Sequence, residues 1–221
     1  MDKKLVIIGG AGSGQIAMSV FQELNTIKRE WEIVGYLSDI LEPGKYLGRY
    51  RIIGRSDEIV NYINDGYYCH NALYFNAKDK INRVNRFKKL NIPSIRNASA
   101  IHPTAYIGQE TKIGNGVLFA PQSSTSYGPI IGNYVHVYNK AYIAHDAKID
   151  DYVTITGHSY VGARVHVKEG AHIGVNSCIR EDLVIGKYSI IGMGSVVVKD
   201  VPDYSVVIGN PARVVKMLDE Y

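Results

Sequence analysis

From residue 101 to residue 197 an aliphatic side chain returns at every sixth position. The series runs Ile101, Ile107, Ile113, Phe119, Thr125, Ile131, Val137, Ile143, Ile149, Ile155, Val161, Val167, Ile173, Ile179, Ile185, Ile191 and Val197. Only Phe119 and Thr125 depart from isoleucine or valine. A period of six suits neither an amphipathic helix nor an alternating strand. It suits short strands whose core residue stacks on its equivalent in the next coil, with three hexads to a triangular turn. Seventeen hexads in frame then predict a parallel β-helix of between five and six coils. Glycine follows the core residue at 108, 114, 132, 162, 174, 186 and 192, and these glycines are expected to allow the corners.

Before residue 95 the pattern is different. KLVIIGG (4–10) reads as an apolar strand broken by glycines, and GSGQIAMSVFQELNTIKREW resumes with apolar residues at helical spacing. WEIVGYLSD (31–39) reads as a second strand, and EIVNYINDG and DKINRVNRFKKLN (79–91) as two further helices. Strand, glycine turn, helix and strand predict a small Rossmann-like α/β domain. We therefore expect an α/β N-terminal Rossmann-like domain over residues 1–97, a β-helix over 98–209 and a C-terminal cap segment over 210–221. The α/β half and NASAIHPTA are expected to cover one end of the stack. At the other end, Pro211 after Asn210 marks a rigid turn and RVVKMLDE a short helix.

The loop GGAGSG (9–14) can carry chemistry, since glycines at a helix start bring backbone N–H groups close to a phosphate. Gly10 and Gly12 fit the spacing and Ser13 follows, but Gln15 stands where a third glycine belongs. A purely structural turn competes with nucleotide contact. Asp39, ending the second strand, is placed either to accept ribose hydroxyls or to begin a turn. A net charge of +4 with no basic run favours an anionic small molecule over nucleic acid. No apolar stretch reaches the length of a membrane span and MDKKLVIIGG turns glycine-rich early, so no membrane insertion and a cytoplasmic location are expected. Cys69 and Cys178 form no CxxC pair. His136, His158, His166 and His172 share the repeat with His145 without a ligand motif, so no metal is expected.

The hexapeptide run and the ending SVVVKDVPDYSVVIGNPARVV resemble the left-handed parallel β-helix of trimeric acyltransferases. With IIGGAGSG and EIVGYLSD, nearly the whole chain resembles the sugar acyltransferases of the sialic acid O-acetyltransferase and bacillosamine-pathway N-acetyltransferase type. The resemblance implies acetyl-CoA as co-substrate, a nucleotide sugar as acceptor and a homotrimer. It places His145 as general base, at the end of a segment usually Asn-Thr-Gly-Ala-x-x-x-His-Asp. Here that segment is YNKAYIAHD (138–146): Ala141, His145 and Asp146 agree, while Tyr138, Asn139 and Lys140 replace the first three. Ser13 and Thr154 stand where the family often has further histidines. Gly174, Gly192 and the Asn210-Pro211 turn are implied coenzyme contacts.

Two residues beyond core-facing Ile143, His145 is expected to point outward. An imidazole, with an unperturbed pKa of roughly 6.5, suits proton removal from an attacking amine. Asp146, or else Asp150 or Asp151, would fix its tautomer. A backbone N–H around Gly162 and Ala163 would face the oxyanion. His158 is a candidate neighbour from the adjacent coil, and Lys140 either meets an anionic ligand or is simply solvated. The expected reaction is acetyl transfer from acetyl-CoA to the amine of a nucleotide-linked 4-amino-4,6-dideoxy sugar by direct attack. Sugar O-acetylation and a noncatalytic nucleotide-sugar-binding scaffold are the alternatives.

Overall fold

Burial of both faces of LVII, residues 5–8, organises the N-terminal region of the computed structural model, which describes residues 2–73 and 79–219. From strand β1 (Lys3–Ile8), Leu5 and Ile7 pack with helix α1 (Ser13–Ile27), and Val6 and Ile8 with helices α2 (Ile59–Asn64) and α3 (Lys80–Lys89). The strand is flanked in parallel by β2 (Trp31–Leu37) and β5 (Tyr68–Asn71). A hairpin of β3 (Tyr46–Leu47) and β4 (Tyr50–Gly54) completes the order β3-β4-β2-β1-β5. Helices on both faces of a sheet that is parallel apart from its edge strand give the expected Rossmann-like layering.

From Ala100 onward, two-residue strands pair in parallel with residues eighteen positions away, for example Ile131 with Ile149, Val137 with Ile155 and Ile143 with Val161. Three parallel sheets result. The first face contains His136–Val137, Thr154–Ile155 and His172–Ile173, the second Tyr142–Ile143 and Tyr160–Val161, the third Lys148–Ile149 and His166–Val167. Their second residues fill the interior, so the in-frame aliphatic series is the core of a left-handed β-helix. Thr125 keeps the register because its Oγ1, fully inside, accepts from the Gly108 N–H at 2.9 Å.

The corners differ from the expectation. Left-handed backbone falls three residues beyond the core positions from Ile107 to Ile191, at every sixth residue from 110 to 194, with φ between 51° and 78°. Most of these positions hold Asp, Asn, His, Lys, Arg or Tyr rather than glycine. The glycines directly after the core residue instead answer to crowding: a Cβ on Gly174 would lie 2.4 Å from the Ile191 carbonyl oxygen.

Two further corrections concern the ends. Residues 213–217 of the predicted terminal helix RVVKMLDE belong instead to a strand, Ala212–Met217, folded back antiparallel on Ser205–Gly209 around a cis Asn210-Pro211 peptide, and residue 220 of that segment lies outside the described residues. Val214 and Val215 favour extended backbone, and an open strand edge supplies hydrogen bonds that a lone short helix must do without. The α/β region, moreover, lies along the flank of the stack as well as at its start. Ala98, Ala100 and Leu118 join the core of α1, while Tyr134, Tyr152 and Tyr188 pack with Phe87 of α3. The first face and the corner after the third are thereby covered, and the other two corners stay open. Among the described residues no helix is long and apolar enough to cross a membrane.

Candidate active site

His145 stands on the open corner between the second and third faces. Its Nδ1 lies 2.9 Å from Asp146 Oδ2, and both side chains are about half exposed, 47% and 58%. The pair forms although the residues are adjacent, because Asp146 has left-handed backbone (φ 57°) that turns its side chain back along the corner. A carboxylate only accepts, so Nδ1 carries the proton and Nε2 presents a lone pair outward. Of the three aspartates considered, Asp146 is the one that reaches the ring; Asp150 receives His166 Nε2 at 2.9 Å instead, and Asp151 accepts from Asn133.

One coil further on, the Arg164 N–H donates to the His145 carbonyl at 3.0 Å, fixing the backbone that carries this imidazole. The Arg164 guanidinium makes two bonds to Asp182, at 2.6 and 2.7 Å, which hold the Asp182 carboxyl below its usual range. The Gly162 N–H is spent on the Ile179 carbonyl at 3.0 Å. Ala163, half-buried beside it, has an N–H with no partner among the described residues, so of the two it is the one left able to donate to a ligand.

The other proposed contacts lie elsewhere. Gly174, Gly192, Lys140 and His158 belong to the corner between the first and second faces, so His158 is not stacked over His145; an eighteen-residue step from His145 arrives at Ala163. Pro211 is in the terminal hairpin turn.

At the C-terminal ends of β1 and β2 opens a pocket of about 630 Å³. It is lined by Gly9 and Gly10, by Ser38 to Ile40, by Arg55 to Asp57, and by Arg83, Arg86 and Lys89 of α3. Ligands of open α/β sheets settle at this place. Gly10 and Asp39 are in its wall; Gly12, in the adjoining turn, and Ser13, the first residue of α1, are outside the lining. Asp39 is already engaged, its oxygens accepting from Ser56 Oγ at 2.8 and 2.7 Å and from the Ser56 N–H at 3.0 Å. The basic residues of α3 escaped the sequence reading, although 83 and 86 share one helix face, a legible signal.

The remaining histidines are structural. His136, Thr154 and His172 form one column on the first face beneath the α/β region, the first two buried and His172 largely so. His136 Nε2 donates to the Asn71 carbonyl at 2.9 Å, and its ring stacks on His70, 5.8 Å between centroids. His70 Nδ1 donates to the Ala98 carbonyl at 2.8 Å. Burial pushes His70 down to about 4 and His136 and His172 to about 3. Lys80, equally buried, donates to the Ala171 carbonyl at 3.1 Å and is pushed to about 7. The described residues contain no group of His, Cys, Asp and Glu suited to a metal ion.

A β-helix with an outward His–Asp pair and a docked α/β domain defines a hexapeptide-repeat acyltransferase. No family model matches the chain. The GDP-perosamine N-acetyltransferase of Escherichia coli O157:H7 is 35% identical over 151 residues, which make up 65% of this chain and 68% of that protein. The acetyltransferase domain of PglB from Neisseria gonorrhoeae FA1090, solved with acetyl coenzyme A, superposes with a TM-score of 0.83 at 24% identity, covering 97% of this chain and 100% of the other. PerB from Caulobacter crescentus, solved with CoA and GDP-perosamine, gives a TM-score of 0.79 at 23% identity, covering 96% of both. The chain belongs to the hexapeptide-repeat, left-handed β-helix family of acetyl-CoA-dependent sugar N-acetyltransferases.

Proposed function

We propose that this enzyme transfers the acetyl group of acetyl-CoA to the amine of a nucleotide-linked 4-amino-4,6-dideoxy sugar, with His145 as general base. The observation that carries the reading is the His145–Asp146 pair, which holds Nδ1 as a donor and leaves Nε2 open on an uncovered corner. His145 Nε2 takes a proton from the amine as its nitrogen attacks the thioester carbonyl, and Asp146 stabilises the resulting imidazolium. The Ala163 N–H faces the developing oxyanion. Collapse breaks the C–S bond, and His145 returns the proton to the departing CoA thiolate. No covalent enzyme intermediate is needed.

The nucleotide sugar occupies the pocket formed by residues 1–97, with Gly10 in its wall and Gly12 and Ser13 beside it; PerB, similar in fold, was solved with CoA and GDP-perosamine. His145 is not among the residues lining that pocket. A homotrimer joins the two, one subunit supplying the pocket and its neighbour the base, with the coenzyme in the groove between β-helices. Such a groove would use two different corners at once, which accounts for Gly162 and Ala163 on one and Gly174 and Gly192 on another, with Pro211 at the base of the groove. The division into α/β domain, β-helix (98–209) and terminal segment (210–221) then follows the division of labour.

The test is thiol release from acetyl-CoA with a panel of UDP-, dTDP- and GDP-linked 4-amino sugars. Turnover of one of them, falling about a hundredfold or more in His145→Ala, is expected. Equal turnover by the variant would exclude His145 as the base.

A further inference from the structure

The nucleotide pocket has two unlike walls. The one built by α3 carries Arg83, Arg86 and Lys89; the opposite one carries Asp39 and Asp57 beside Arg55. Two of the α3 cations, Arg83 and Arg86, share one carboxylate. Asp79 Oδ2 accepts from Arg83 Nε at 3.0 Å and from Arg86 Nη2 at 3.4 Å. Steps of four and seven residues keep all three groups on the same helix face. A single carboxylate oxygen thus holds two guanidinium groups together at the rim of the pocket. Planar guanidinium forks are well matched to phosphate oxygens. The glycine turn reaches the pocket only through Gly9 and Gly10, and the Gly12 N–H at the start of α1 already points to Gln15 Oε1, 3.3 Å away.

We propose that the substrate's diphosphate binds Arg83 and Arg86, with Lys89 in support, rather than the N-terminus of α1. Asp79 acts as the internal anion that keeps the two arginines paired and competes with the incoming diphosphate. The proposal rests on the nucleotide-sugar reading of the pocket and fixes the ligand's direction within it. The nucleoside lies toward the opposite wall, where the Asp57 carboxylate, with no side-chain partner among the described residues, accepts from its hydroxyl or amine groups. Asp39 remains tied to Ser56.

Inorganic pyrophosphate, titrated calorimetrically into the full-length protein, tests this without any sugar. Arg86→Gln is expected to weaken binding about tenfold, and Arg83→Gln with Arg86→Gln further. Asp79→Asn strengthens it several-fold. Arg29→Gln, which removes an equal charge from a residue paired with Asp2 and outside the pocket lining, leaves it unchanged. Circular dichroism verifies that each variant is folded. Absence of pyrophosphate binding to the wild type, or equal affinity in the double variant, would overturn the proposal. So would weaker binding to Asp79→Asn. Steady-state kinetics separates the two readings. A nucleotide sugar turned over with the same KM by the double variant refutes the arginine site and leaves the nucleotide-sugar reading standing. The expected pyrophosphate pattern with no nucleotide sugar turned over does the reverse.

Discussion

Acid should loosen this protein in a window set by its buried histidines. His70, His136 and His172 sit between the α/β region and the first face, at about 4, 3 and 3 against 6.5 in the unfolded chain. Because burial lowers these values, the stability they favour is complete above about pH 6.5 and declines as pH falls toward the folded values. At pH 5 the unfolded chain gains about 1.5 pK units' worth of proton binding per histidine and the folded chain almost none. Each group then costs about 2 kcal/mol, at 1.36 kcal/mol per unit. Three acting independently cost about 6 kcal/mol, comparable with the whole stability of many domains. Lys80, pushed to about 7, has completed its own loss by that pH and adds no slope in the window. The carboxylates held low, Glu169, Asp182 and Asp203, titrate below it. Urea unfolding at fixed protein concentration, followed by Trp31 fluorescence and circular dichroism, should show stability falling between pH 7 and pH 5. His136→Gln, which keeps a donor for the Asn71 carbonyl without the titration, should recover about 2 kcal/mol of the loss at pH 5. A flat profile, or one identical in His136→Gln, would refute the linkage.

Other changes test other parts of the molecule. Ile155→Ala, in the middle of the stack and fully buried, should cost about 2–5 kcal/mol in the same urea assay. Gly174→Ala places a methyl 2.4 Å from the Ile191 carbonyl oxygen and should destabilise the fold by about 1–3 kcal/mol of strain, read as a lowered melting temperature. Glu23→Ala deprives buried His102 Nε2 of its acceptor, now 2.5 Å away, and should cost about 1–3 kcal/mol, largely recovered when His102 is also replaced by Leu. Asp146→Asn should lower kcat about tenfold or more with little change in KM, as loss of tautomer control predicts; an unchanged kcat would exclude Asp146 from orienting the base.

The six-residue period determined most of the β-helix by itself. A core residue that must stack on its equivalent one coil later leaves no other register, and every aliphatic position from Ile131 to Val197 is accordingly inside. The same arithmetic placed His145 two residues past Ile143 on an outward corner. The strand, glycine turn and helix of the first forty residues were equally legible, because local periodicity encodes them.

Tertiary contact decided the rest. Nothing local distinguishes a solvated His136 from one buried under Asn71; that depends on which face the α/β region covers. The terminal RVVKMLDE has a pattern compatible with a helix, and residues 213–217 became part of a strand because Ser205–Gly209 offered an open edge. The corner glycines were needed for the close approach of the next coil rather than for their own backbone freedom. The pocket combines the ends of β1 and β2, the turn before α2, and α3, segments about eighty residues apart. Its cationic wall exists only once the sheet brings α3 to the strand ends, since an exposed arginine and a pocket arginine read the same in sequence. Periodicity records which residues face inward. Which outward faces meet one another is set by docking, a long-range event that leaves no repeating mark along the chain.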